Sequence, residues 1–284
     1  MAVHFSAVID VQERPTSDFY ALRSVDLEAL GVRASPIALL EDFRVQDIRF
    51  SARPRAGIAV VTYVFDDSLG AVRSRTSTGT DLVVGPGGIV WTHCGSGLIH
   101  EEGPARRGQD VHGLRMFLNL SAAHKLDEPK VMSVGMDAVP QSERQAGGRV
   151  RVLVGTFNGL SSPLVPVEPF TMLDVLLRDP IAYTADAGTT TVVYVLDGTV
   201  SVGSGERSET VSNGQALALS GEPAPLTFAT VRSSRFLVLT GLQIDEPLAE
   251  AGSFLMNEPA QIQAAIARYR SGAMGGISPR SGGS

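Results

Sequence analysis

The sequence has one cysteine and one tryptophan among 284 residues, and no apolar run near the roughly 18 residues needed to span a bilayer. A single cysteine excludes an intramolecular disulfide and any zinc knuckle built on cysteine pairs. Positive charge is also in deficit: 24 Lys and Arg stand against 30 Asp and Glu, for a net −6 and a pI near 5.4. That balance argues against nucleic acid or an anionic membrane as the main partner. The first residues show no basic-then-apolar leader pattern. The expectation is a soluble, cytoplasmic, globular protein of one large domain or two ordinary ones.

What is present is mostly strand pattern. Ile58-Ala59-Val60-Val61-Thr62-Tyr63-Val64-Phe65 is β-branched and aromatic, and Asp66-Asp67-Ser68 closes it. Stretches 81–84, 89–92, 114–120, 150–156 and 236–242 read similarly, each bounded by Gly, Pro, Asp or Ser. Short strands between turn residues predict an all-β sandwich or barrel. Helical character is expected only near 26–30, weakly, and near 258–270, with Asn257 as N-cap, Pro259 in the first turn and Gly272 as the stop.

The chain also repeats itself. The strand around Tyr63 resembles the one around Tyr194, and Gly85-Pro86-Gly87 is echoed by Asn213-Gly214. A period near 130 residues is too long for a solenoid and suits two copies of one β-domain. The break is expected near 140–148, and the Gly/Ser-rich stretch from 272 to 284 is expected to be a disordered tail.

The most informative stretch runs Gly85-Pro86-Gly87-Gly88-Ile89-Val90-Trp91-Thr92-His93-Cys94-Gly95-Ser96-Gly97-Leu98-Ile99-His100-Glu101-Glu102. It resembles the central signature of the pirin family: a Pro-Gly turn, a Trp, a Gly-x-Gly turn and a His-x-Glu pair. Ser35-Pro36 through Phe43, the strand at 114–120 with Glu128-Pro129, and Phe254-Leu255-Met256-Asn257 fit the same family in order. The resemblance implies an all-β bicupin, two jelly-roll barrels with a short C-terminal helix. The implied divisions are an N-terminal segment at 1–34, a site-bearing barrel at 35–140, a structural barrel at 149–256 and a helix at 257–271. It further implies iron held by three His and one Glu in the first barrel, with transcriptional co-regulation or dioxygenase cleavage of flavonols such as quercetin as family roles.

This chain departs from the family pattern at the metal. His100 and Glu102 match two of the implied ligands, but the family's His-Pro-His run reads Arg53-Pro54-Arg55 here. A guanidinium has no available lone pair and stays protonated, so it cannot ligate a metal. The expectation is therefore no cofactor, with Arg53 and Arg55 clamping an anionic or enolisable small molecule, phenolic or polyketide-like, as substrate-binding residues. Tyr63 and His93 are further candidate substrate contacts. Glu102 is the expected base and His100 the proton relay, giving metal-independent isomerisation or cyclisation. Three alternatives stay open. One is a quercetinase-like dioxygenase with iron or another divalent metal on His93, His100 and Glu102. Another is a non-catalytic binding or regulatory protein, and the third is an ion-pair plug of Arg53 and Arg55 on Glu102. The partner expected is a small molecule, on a monomer or homodimer.

Overall fold

The computed structural model describes residues 3–14, 20–30, 34–46, 50–144 and 146–278. It divides into two compact units, one built on residues 42–133 with 245–284, the other on 134–244 with 1–15 and 22–41.

The first unit is built on eight strands: β1 (Ile37–Val45, whose second half lies in this unit), β2 (Phe50–Arg55), β3 (Ile58–Val64), β4 (Val72–Thr76), β5 (Asp81–Val84), β6 (Ile89–His93), β7 (Leu98–Pro104) and β8 (Val111–Asn119). Within one sheet the order runs β6-β3-β8-β1, and a smaller sheet runs β2-β7-β4-β5. The second unit repeats this with β9 (Phe170–Leu177), β10 (Ile181–Thr184), β11 (Thr189–Asp197), β12 (Thr199–Ser204), β13 (Arg207–Ser212), β14 (Gln215–Ser220), β15 (Pro225–Ala229) and β16 (Ser234–Leu242). Its orders are β14-β11-β16-β9 and β10-β15-β12-β13, the same topology strand for strand. Tyr63 and Tyr194 thus sit on equivalent central strands, as the internal repeat requires. The fold is a bicupin.

Strand parity decides what each barrel holds. In β3, Ile58, Val60 and Thr62 point to one face, while Ala59, Val61 and Tyr63 point to the other. Ile58 and Val60 pack with Cys94, Leu98, Leu255 and Phe117, an apolar floor inside the first barrel. The second barrel is filled throughout by apolar side chains, among them Val193, Val195, Val200, Val202, Leu226, Phe228, Phe236 and Val238. At about 1.5–3 kcal/mol for each large side chain removed from water, that interior is a hydrophobic core.

Several expectations are corrected here. The weak helix near 26–30 is a turn, because Asp26 Oδ1 accepts the N–H groups of Glu28 and Ala29 and diverts them from a helical ladder. The C-terminal helix α1 (Pro259–Arg270) is capped by Glu258 rather than Asn257, with Gln261 Oε1 accepting the Glu258 N–H. The unit boundary falls at 134, not near 140–148, because Gln141–Glu143 already pairs with Arg149–Val154. Residues from 245 onward join the first unit: Phe254, Met256, Ile262, Ala265 and Met274 pack on Ala56.

Lys125 locks that return in place. It is fully buried, and its Nζ donates to Asn119 Oδ1 at 2.6 Å, Leu255 O at 2.7 Å and Gly57 O at 3.1 Å. Part of the stretch expected to be a disordered tail is ordered as well. Met274 is buried against Gly97, and its carbonyl accepts the Ser77 hydroxyl at 2.5 Å. Residues 279–284 of that expected tail lie outside the described residues, as do 1–2, 15–19 and 31–33 of the N-terminal segment.

Candidate functional site

The first barrel places four polar groups on its inner face. On β7, Leu98, His100 and Glu102 alternate inward; Leu98 lies opposite Arg55, and His100 lies opposite Arg53 on β2 and Thr76 on β4. Glu102 lies opposite Ser74, and a register shift on the β2 side falls between His100 and Glu102. From the facing sheet, Thr62 donates its hydroxyl to Glu102 Oε2 at 2.7 Å. The His100 Nε2 atom lies 3.1 Å from Ser74 Oγ and 3.4 Å from Glu102 Oε1. His100 and Glu102 are 6% and 3% exposed, and Ser74 is fully buried.

The charge on Glu102 is set by opposing effects. Burial pushes its carboxyl up, but the His100 ring, the Thr62 hydroxyl and the Arg115 charge pull it further the other way, below the ordinary carboxylate value. It is therefore ionised at neutral pH. Arg55 is half-buried, with its guanidinium carbon 4.4 Å above the Phe117 ring. Burial, with help from Arg115 and Arg53, lowers Arg55 to about 10, so it too stays charged. Cys94 beside it is buried and pushed up to about 12, an inert thiol.

The sequence missed two of these participants. Arg115 lies opposite Thr62 on β8, and its guanidinium carbon lies 5.7 Å from the Phe117 ring centre. Ser74 stands between Arg73 and Arg75, and Arg115 between Leu114 and Met116. Neither setting says whether the face that the residue shares looks in or out.

Three predicted site residues do not converge. Arg53, although opposite His100 in the ladder, is exposed, and its Nε donates to Ser51 Oγ at 3.3 Å. Tyr63 and His93 both lie on the face of the larger sheet opposite to Thr62, since Tyr63 pairs with Ile89 and His93 with Ala59. His93 Nε2 is instead 4.0 Å from Asp127, which also meets His124 Nδ1 at 2.7 Å. The turn after His93, with Gly95 at φ +46° and Gly97 at φ +123°, resets parity before β7. The expected plug is corrected too: among the described residues, neither Arg53 nor Arg55 forms a direct ion pair with Glu102.

The iron implied by the family resemblance needs three imidazoles and a carboxylate. His100 and Glu102 supply two donors; a guanidinium stands at each of the other two positions, and His93 faces away. Among the described residues no group of three His, Cys, Asp or Glu is arranged to hold a metal ion. The residues present do not fit that set.

A bicupin with a His-x-Glu pair inside its first barrel defines the class. Sequence profiles of the Pirin domain and the Pirin C-terminal cupin domain match residues 8–118 and 172–275. A protein of Arabidopsis thaliana provisionally named pirin-like is 31% identical over 231 residues, covering 80% of this chain and 83% of the relative. The chain belongs to the pirin family. A Pseudomonas aeruginosa protein provisionally named a quercetin 2,3-dioxygenase is 29% identical over 254 residues, covering 85% and 87% of the two chains. The crystal structure of quercetin 2,3-dioxygenase from Acinetobacter baumannii superposes with a TM-score of 0.83 at 23% identity, covering 98% and 100%, which shows the shared fold.

Proposed function

We propose that this pirin binds a small organic anion inside its first barrel and moves a proton on it by acid–base chemistry that needs no metal. One observation carries the reading: an ionised, buried Glu102 is oriented by Thr62 and touches His100, while the Arg55 and Arg115 charges lie on the same interior. In this reading the carboxylate takes a proton from an enolisable C–H, and the electron pair left behind moves onto the adjacent carbonyl oxygen. A guanidinium holds that oxyanion. Glu102, once protonated, returns the proton at another atom of the substrate while His100, 3.4 Å away, holds the carboxyl in place, so the net change is an isomerisation or ring closure. Because its carboxyl sits low, Glu102 is a weak base, and stabilisation of the enolate by Arg55 supplies the drive.

The names of the relatives favour a second reading, a metal-dependent dioxygenase, against which the donor set weighs. Both are tested on chelator-treated protein with 4-acetylbenzoate, which carries a carboxylate and an enolisable methyl ketone. Methyl exchange with D2O, followed by NMR, should persist without metal, and Glu102→Gln should slow it about 100-fold. Arg55→Ala should weaken binding at least ten-fold. Exchange that vanishes on chelation, or binding indifferent to Arg55, overturns the acid–base reading.

A further inference from the structure

Two buried polar atoms on the inner face of the first barrel have no well-made hydrogen bond: Thr92 Oγ1, and Glu102 Oε1, which faces His100 Nε2 at 3.4 Å. Thr92 is fully buried and lies opposite Val60, on the same sheet face as Thr62, whose hydroxyl is committed to the other oxygen of Glu102. Thr92 is a diagonal neighbour of Thr62, a step of roughly 7 Å between β-carbons. The two orphans therefore belong to one compartment. Buried polar groups are nearly always satisfied, and leaving one open costs about 1–3 kcal/mol. Their demands differ in kind. An ionised carboxylate oxygen can only accept, so it calls for a donor; a threonine hydroxyl calls for either partner.

Arg55 states the complementary demand. Its guanidinium stacks on Phe117, and among the described residues it makes no hydrogen bond or salt bridge to a side chain. Its N–H groups call for an acceptor, best a carboxylate. Arg55, Phe117, Val60 and Thr92 then form a continuous inner surface, since Val60 lies opposite both Phe117 on β8 and Thr92 on β6.

From these demands we infer that the barrel selects a hydroxy-carboxylic acid: its hydroxyl donates to Glu102 Oε1 and accepts from Thr92, and its carboxylate lies against Arg55. The inference rests on the reading above that the interior takes an organic anion, and adds the hydroxyl as the group that is read. A site with open polar partners discriminates strongly against an analogue lacking the matching group, because the analogue leaves those partners unpaired.

The test titrates the full chain with benzoate, phenol and the three hydroxybenzoate isomers, by calorimetry or NMR. At least one isomer should bind ten-fold or more tightly than both benzoate and phenol. Thr92→Val, nearly isosteric and checked for folding by its melting curve, should bring the hydroxybenzoate-to-benzoate affinity ratio towards one. Equal affinities for benzoate and every isomer, or a ratio untouched by Thr92→Val, overturn the selection of a hydroxyl while leaving anion binding intact. Failure of every carboxylate to bind overturns both readings together.

Discussion

The two barrels share one topology but have opposite interiors. Where the first barrel pairs His100 with Arg53 and Leu98 with Arg55, the corresponding strands of the second pair Phe228 with Ile181 and Leu226 with Tyr183. All four of the latter are buried in an apolar cluster. The second unit does bury charge, but satisfies it: Arg235 reaches both oxygens of the buried Asp174, at 3.1 and 2.7 Å. In the first barrel one oxygen of Glu102 has no well-made hydrogen bond, only the 3.4 Å contact with His100 Nε2. A closed fork is what a structural ion pair needs, whereas an open acceptor beside a histidine is what a site needs.

The largest effect that bears on this comparison is expected in the second barrel. Phe228→Ala removes a ring from a filled core and should cost about 3–5 kcal/mol in urea or thermal unfolding. A loss well under 1 kcal/mol would mean that the second interior is not close-packed. A smaller effect is expected from Glu102→Gln, read as a change in pH dependence. The folded carboxyl lies below its ordinary 4.5, so its contribution to stability is complete above that value and is lost as pH falls through the folded value. The variant should show a flatter stability profile on the acid side, and an unchanged slope would contradict the ionised state. Smallest is Arg53→Ala: an exposed side chain should change stability by less than about 0.5 kcal/mol and leave anion binding within about two-fold. A ten-fold loss there would return Arg53 to the site.

Much of this was legible beforehand, for identifiable reasons. The strand at 81–84 was readable because turn residues bracket it, and the repeat was readable because equivalent strands carry the same Tyr in the same apolar setting. The loss of two metal donors could be read directly, since guanidinium chemistry does not depend on the fold. The sequence misled where local signals compete with distant ones. Asn257 is a good cap by type, yet Gln261 reaches back to both the Asn257 and Glu258 N–H groups, and the cap falls at Glu258. The Gly/Ser-rich stretch looked free of structure because the groups that anchor its Met274 lie far back in the chain: Gly97, and Ser77 at a separation of 197 residues.

By itself, the order of residues determined which chemical groups exist at the inherited ligand positions: two guanidiniums, one imidazole and one carboxylate. That follows because a side chain's donors, acceptors and charge travel with it. Only the tertiary structure decided which of them share a compartment. Alternation along a strand repeats every two residues but carries no sign, so closing the barrel is what turned Arg55, Thr62, Thr92 and Arg115 inward with His100 and Glu102. The same closure left Arg53 at the surface and put Tyr63 and His93 on the other side of the sheet.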